Sequence, residues 1–323
     1  CLWKSDAALI CDGIIFGKKF YNPAFNFLVT LGPLTPWMKL SGCKLICYSC
    51  GIGPFPSALS RVFAKYVIQS SDLILMRDQD SVDLSRELGV TKEISITGDA
   101  AFINSVSSDE RSREIAREIG ISFEKPILGV NVTTYMDTWL TQSERVSSRE
   151  SFVTEFVDGI ERFRSQQSVR PEVIFFSTQP MDEAFTREVA QRVGASVVDN
   201  TRYLSHDIQS VMRHCRVLAG MRFHSLVLSS AVQVPIVGLV YAPKVKGYMR
   251  LLGCEDFAVE LGTLNSENFA STLSSAWENA DSLRQRQQEK VSRLKVGAHE
   301  AATLLREAVF PGLQFETPIA AAG

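Results

Sequence analysis

The chain has 323 residues, 45% hydrophobic and 22% charged, with a formal net charge of −2. This is the make-up of a folded protein with enough apolar residues for two domains. The near-neutral balance excludes a general pull toward nucleic acid or an anionic membrane, so anion affinity must come from locally placed charge, and no apolar run reaches the roughly 20 residues of a membrane span.

Short apolar runs alternate with amphipathic stretches along the whole chain, the pattern of βαβ units around parallel sheets. In the first part, strands are expected over residues 7–15, 44–48, 73–76 and 93–96, and helices near 35–40, 57–69 and 81–87. Cys1 opens the chain and residues 6–17 read as a strand already inside a domain, so an N-terminal segment is expected to be missing from this sequence. The charged stretch 107–118 reads as a helix, and turn signals over 119–126 place a domain boundary near residue 122. Strands then follow over 127–132, 173–176, 195–198, 216–219, 235–240 and 257–260. Phe152, Val153, Phe156, Val157, Ile160 and Phe163 recur at helical spacing between the first two of these. Residues 207–214 and 244–252 give further helices. A long terminal helix is expected from about 268 to 309, broken near Gly297, and Pro311 stops it. The expected organisation is an N-terminal Rossmann-like domain over 1–122, a second over 123–310 that holds the donor site, and a tail over 311–323. Two such domains with a long C-terminal helix give an α/β, GT-B-like architecture, in which substrates sit in the cleft between domains.

The seven cysteines are odd in number and irregularly spaced, which favours reduced thiols over a disulfide framework. Cys47 and Cys50 form one CxxC with no second Cys or His pair nearby, so buried strand thiols are the better reading than a four-ligand zinc site. Asn131-Val132-Thr133 matches a glycosylation sequon but falls in an expected buried strand.

The most informative run is Ala219-Gly220-Met221-Arg222-Phe223-His224-Ser225. An apolar strand ends at Gly220, and Arg222 and His224 emerge where an apolar helix begins. Ligands of open α/β sheets bind where strands end and helix N-termini begin, and those N-termini favour anions. Arginine adds a planar fork that suits phosphate or carboxylate, and histidine can donate or accept a proton near neutral pH. The alternative is an arginine–carboxylate pair beside a capping histidine. Arg77-Asp78 follows another strand end, with Asp78 placed to cap the next helix and Arg77 to bind substrate or to pair with an acid. Gly51-Ile52-Gly53-Pro54 either lets a ligand approach the backbone or makes a tight turn. Tyr241 and Lys244 follow the next strand, where they can meet a sugar hydroxyl and an anion, with Lys246 as the rival to Lys244. Asp99 is a possible base or a turn residue, and Thr133, Thr134 and Tyr135 are unspecific acceptor contacts.

Taken together, these blocks resemble the polysaccharide pyruvyl transferase family. The resemblance rests on Gly51-Ile52-Gly53-Pro54, Met76-Arg77-Asp78-Gln79-Asp80-Ser81 with Glu87-Leu88-Gly89-Val90, Gly98-Asp99-Ala100-Ala101-Phe102, and Gly129-Val130-Asn131. It continues through Gly220-Met221-Arg222-Phe223-His224 and Pro235-Ile236-Val237-Gly238 with Tyr241 and Lys244. Phe223 stands where the family commonly has Leu, and the family's first strand and glycine-rich turn are not present. The resemblance implies transfer of pyruvate from phosphoenolpyruvate, as co-substrate, to two hydroxyls of one sugar, giving a cyclic ketal and phosphate. His224 and Arg222 are then the catalytic pair, and Arg77, Gly51, Gly53, Tyr241 and Lys244 bind substrate. No cofactor and no metal are expected. The implied acceptor is a sugar or a lipid-linked oligosaccharide of cell-surface or exopolysaccharide synthesis, with a cytoplasmic location that includes the inner face of the membrane. Nucleic acid is not an expected partner. The alternatives are a GT-B glycosyltransferase using a nucleotide sugar, for which Glu260 and Glu267 approach a paired-glutamate signature, and a non-catalytic sugar-phosphate-binding protein.

Overall fold

The computed structural model describes residues 2–14, 27–134 and 148–312. The chain divides into two compact units, Cys1–Ala100 with Val296–Gly323, and Ala101–Lys295.

The first unit is built on four parallel strands, β1 (Ala7–Ile14), β2 (Lys44–Ile52), β3 (Leu73–Met76) and β4 (Ser95–Ile96), in the order β1-β2-β3-β4. Helices α1 (Phe27–Leu40), α2 (Ala58–Ser70) and α3 (Gln79–Glu87) cross between them. The order steps one way and such crossovers are right-handed, so all three helices cover the same sheet face. Residue 15, the end of the expected first strand, lies outside the described residues. Helix α1 begins earlier than expected and runs through Pro33 and Pro36. Burial of Leu28, Leu31 and Thr35 holds it despite two missing N–H donors, and Thr35 Oγ1 donates to the Leu31 carbonyl at 2.8 Å. Ser57 caps α2 and Asp78 caps α3, as side-chain acceptors at each start.

The second unit opens with α4 (Asp109–Glu118) and continues through β5 (Ile127–Asn131), α5 (Arg149–Gln166), β6 (Glu172–Ser177), α6 (Glu183–Val193) and β7 (Ser196–Asp199). It returns through α7 (Ser205–Met212), β8 (Cys215–Gly220), α8 (Phe223–Ala231), β9 (Ile236–Val240), α9 (Pro243–Leu251) and β10 (Ala258–Glu260) to α10 (Ser266–Glu278) and α11 (Ala280–Val309). The six strands are parallel in the order β10-β9-β8-β5-β6-β7. The order therefore reverses between β5 and β8, the place where such sheets open a crevice for ligands. The apolar stripe expected in α5 is buried, with Phe156 stacked on Phe152 at 5.2 Å and on Phe269 of α10 at 4.8 Å. Helix α6 was not anticipated from the sequence; Phe185, Val189, Ala190 and Val193 form its buried stripe.

Three expectations change. The division falls after Ala100 rather than near residue 122, because α4 packs into the second unit. Ser107 Oγ donates to Asp207 at 2.7 Å, Ser112 Oγ lies 2.9 Å from His214 Nε2, and the Phe123 ring stacks on His214 at 4.0 Å. The last part of α11 belongs with the first unit, not the second. The terminal helix breaks at Asn279, between α10 and α11, and not at Gly297. Gly297 lies inside an unbroken helix, pressed against the Thr97 backbone where a Cβ has no room.

Cys47 and Cys50 are core thiols: Cys50 Sγ donates to the Ile10 carbonyl at 2.8 Å and Cys47 Sγ lies 3.3 Å from Ser71 Oγ. The hydrogen bond with Cys47, with burial behind it, pushes the Cys50 thiol well up. Among the described residues, no helix is long and apolar enough to cross a membrane.

The α4 seam carries a pH dependence. Burial lowers the His214 pKa below its ordinary value, with Arg213 and Arg113 acting in the same sense and Asp109 opposing. The folded imidazole then takes up its proton less readily than the unfolded one. Its contribution to stability is full above the unfolded value of about 6.5 and declines as pH falls below it. Hydrogen-exchange protection factors of α4, corrected for the intrinsic pH dependence of amide exchange, are expected to fall from pH 7 to 5, and His214→Gln is expected to flatten that response.

Candidate active site

At the carboxyl edge of the second sheet, β5 ends at Asn131 directly opposite Gly220 at the end of β8. The Asn131 side chain is fully buried and all of its polar atoms are used. Its Nδ2 donates to the Phe176 carbonyl at 2.8 Å, and its Oδ1 accepts from the Arg222 backbone N–H at 2.8 Å and from Ser225 Oγ at 3.0 Å. Arg222 is thereby set as the N-cap residue of α8, with extended backbone and no side-chain cap bond of its own. Its guanidinium turns instead to Asp182, which accepts from Arg222 Nε at 2.6 Å. Asp182 is 0% exposed. Its other oxygen accepts from Thr133 Oγ1 at 3.1 Å, Thr134 N–H at 3.0 Å and Thr134 Oγ1 at 3.1 Å. A buried carboxylate needs such a set of donors to stay charged. The effect is to fix the plane of the arginine fork at a helix N-terminus, a setting that favours an anion.

His224 follows on the first turn of α8 and is half-buried, its ring edge-on to Phe223 at 5.4 Å. Phe223 in turn packs edge-on against Tyr248 of α9 at 5.3 Å, so the segment between Arg222 and His224 is anchored in the core. Beyond β9, Tyr241 is 1% exposed, with the Lys244 ammonium 6.0 Å from its ring centroid. The tyrosine is thus a buried ring that backs the lysine rather than an exposed hydroxyl. Lys246, the rival candidate, is exposed and paired with Glu260 at 2.8 Å. Glu260 ends β10 and Glu267 lies in the first turn of α10.

In the first unit, Arg77 follows β3 and is 8% exposed. Its Nε lies 3.3 Å from Asp78 and its Nη1 3.4 Å from Asp99, which is itself buried. Asp78 also caps α3, accepting from the Ser81 N–H at 2.8 Å. The guanidinium lies flat over Gly51 of β2, where any Cβ would collide with it. A side chain at 51 would therefore displace the Arg77 guanidinium from this position, which accounts for a glycine at the first place of the Gly-x-Gly-Pro turn. The second, Gly53, has φ +85° and so occupies left-handed backbone that side chains disfavour.

The sequence candidates thus fall into two sets. Arg222, His224, Tyr241 and Lys244 belong to the second unit, Arg77, Gly51 and Gly53 to the first. Thr133 and Thr134 serve Asp182. Tyr135 lies outside the described residues. Two residues were not singled out beforehand. Asn131 appeared in a sequon and in the Gly129-Val130-Asn131 block without a role of its own, and its place at the end of a buried strand was the available signal. Asp182 lies between a Pro-containing turn and a helix, where an acid reads as an ordinary helix start.

Comparison with known proteins bears on both fold and family. The chain is similar to the solved UDP-GlcNAc 2-epimerase of Methanocaldococcus jannaschii, with 13% identity over 93% of this chain and 77% of that one, at a TM-score of 0.55. It is similar to a putative UDP-N-acetylglucosamine 2-epimerase of Listeria monocytogenes, with 12% identity over 96% and 76% of the two chains, also at 0.55. At such identity the likeness speaks to fold alone, and it agrees with an α/β, GT-B-like class of two Rossmann-like units with a long C-terminal helix. The model of the polysaccharide pyruvyl transferase family matches residues 3–243, a span that contains Gly51, Gly53, Arg77, Arg222, His224 and Tyr241 and ends just before Lys244, and the chain belongs to that family.

Proposed function

We propose that this chain transfers the pyruvyl group of phosphoenolpyruvate to two hydroxyls of one sugar, forming a cyclic ketal and releasing phosphate during cell-surface or exopolysaccharide synthesis. The observation that carries this reading is Arg222, held by Asp182 at the N-terminus of α8 beside His224, at the strand-order reversal of the second sheet. Phosphoenolpyruvate bears a phosphate and a carboxylate, and a fixed arginine fork suits either one.

In this scheme His224, as general acid, delivers a proton to the methylene carbon of the donor, making it a methyl group. The neighbouring carbon takes on oxocarbenium character and the first hydroxyl attacks it. The second hydroxyl then displaces the phosphate. One hydroxyl proton restores His224 and the other leaves with the phosphate, so atoms and charge balance. Arg222 stabilises the anionic donor as charge shifts toward the departing phosphate. Lys244 over Tyr241, and Arg77 over Gly51 with the Gly53 turn, are assigned to substrate binding. The scheme calls for no cofactor and no metal. The acceptor is a sugar or a lipid-linked oligosaccharide, met in the cytoplasm or at the inner face of the membrane.

The first experiment is thermal unfolding of the chain with phosphoenolpyruvate, UDP and GDP in parallel, followed by assay of phosphate release with candidate acceptor sugars. A ligand that binds only the folded state raises the melting temperature. A rise with phosphoenolpyruvate alone is expected; a rise with a nucleotide alone would overturn the proposal in favour of a glycosyltransferase. Arg222→Lys is expected to weaken donor binding by about tenfold or more, because an ammonium lacks the fork and its charged hydrogen bonds. His224→Ala is expected to fold normally and lose about 100-fold or more in turnover. Asp182→Asn keeps the shape but not the charge. It is expected to raise the donor KM more than it lowers kcat, the signature of a residue that positions Arg222 rather than one that takes part in proton transfer.

A further inference from the structure

Helix α2 is apolar on two faces. Ala64, Val67 and Ile68 point into the first unit's core, while Leu59, Val62 and Tyr66 recur along the outer face and are exposed. Helix α1 repeats the pattern: Leu28 and Leu31 are buried, whereas Leu34, Trp37 and Leu40 are exposed, the last two at 58% and 74%. The two helices lie side by side on one sheet face, with the Phe63 ring of α2 seated on Gly32 of α1. Six large apolar side chains therefore share one outward surface, and an apolar cluster of this kind on a folded protein marks an interaction site.

Its charge identifies the occupant. Helices α1 and α2 carry three basic residues, Lys39, Arg61 and Lys65, and not one acid, although the whole chain is at −2. Arg61 and Lys65 stand one helical turn apart on α2, beside Leu59, Val62 and Tyr66, and both are exposed. Lys39 flanks Trp37 and Leu40 on α1 and bonds to Asp72 at 2.5 Å. Asp72 offsets Lys39, and α3 carries the exposed acids Asp80, Asp83 and Glu87, so the basic charge of this surface lies on α2, at Arg61 and Lys65. A protein interface is depleted of lysine, whereas exposed Leu with Trp and Tyr, flanked by Lys and Arg, is the make-up of helices that lie in a bilayer interface.

We propose that the outer face of α1 and α2 docks this chain on an anionic lipid surface, with Leu34, Trp37, Leu40, Leu59, Val62 and Tyr66 entering the headgroup boundary and Arg61 and Lys65 meeting lipid phosphates. The proposal stands on these two helices alone and does not depend on the reaction assigned above.

The test is co-sedimentation of the full chain with vesicles of phosphatidylcholine, with and without phosphatidylglycerol, at low and high salt. Binding is expected only with phosphatidylglycerol, weakening as salt rises. Trp37→Gln with Leu40→Gln is expected to abolish it, and Arg61→Gln with Lys65→Gln to weaken it about tenfold or more. Because all four side chains are on the surface, circular dichroism and melting temperature are expected to match the parent, as is ligand-induced stabilisation by phosphoenolpyruvate. No binding to anionic vesicles, or equal binding by the Trp37→Gln, Leu40→Gln variant, would overturn the proposal. So would a dimer seen by light scattering that this variant dissolves, which would assign the face to a second copy of the chain.

Discussion

The side-chain amide of Asn131 joins three strands at the point where the second sheet reverses its order. It bonds β5 to the end of β6 through the Phe176 carbonyl, and to the turn after β8 through the Arg222 N–H and Ser225 Oγ. With each polar atom satisfied in the dry interior, a rearrangement of that turn that breaks these bonds leaves buried polar groups unpaired. The start of α8 follows from this, and so does the direction in which Arg222 leaves the backbone. An apolar residue at 131 would fit the strand equally well but would leave the turn after β8 without its main tether.

The two arginines singled out by sequence are restrained in different ways. Arg222 is gripped at Nε by a carboxylate at 0% exposure, which is itself held by three further donors from the segment after β5. Arg77 is bracketed by Asp78 and Asp99 and lies flat on a glycine. In each case the charged group is placed by burial and hydrogen bonds rather than left to sample rotamers, which lowers the entropy lost on binding an anion. Rigidity of this kind is what a transferase needs where charge moves during the reaction.

Much of the fold was legible because parallel strands buried on both faces read as apolar runs, as residues 173–176 of β6 and 217–219 of β8 do. Arg222 and His224 stood out because they interrupt such a run where a helix begins. Other features were hidden for physical reasons. Two prolines masked the start of α1, since propensity is local and the burial of Leu28 and Leu31 is not. Gly297 reads as a helix break when its cause is the nearby Thr97 backbone, far away in sequence. Helix α4 looked like the end of the first domain because nothing in its own residues reveals that Ser112 meets His214. Asp182 acts through partners 40 and more residues away, a relation no local pattern encodes.

Asn131 also begins the tripeptide Asn131-Val132-Thr133. In a secretory pathway such a site is offered to oligosaccharyl transfer while the chain is still extended, before any sheet has closed over it. The nitrogen that would carry the glycan is the one that donates to Phe176 in a fully buried position. A modified chain would be unable to seat β5 between β6 and β8. The route by which this protein is produced thus bears on whether the second unit can assemble: passage through a glycosylating secretory pathway puts β5 at risk, and synthesis in a cytosol leaves it untouched.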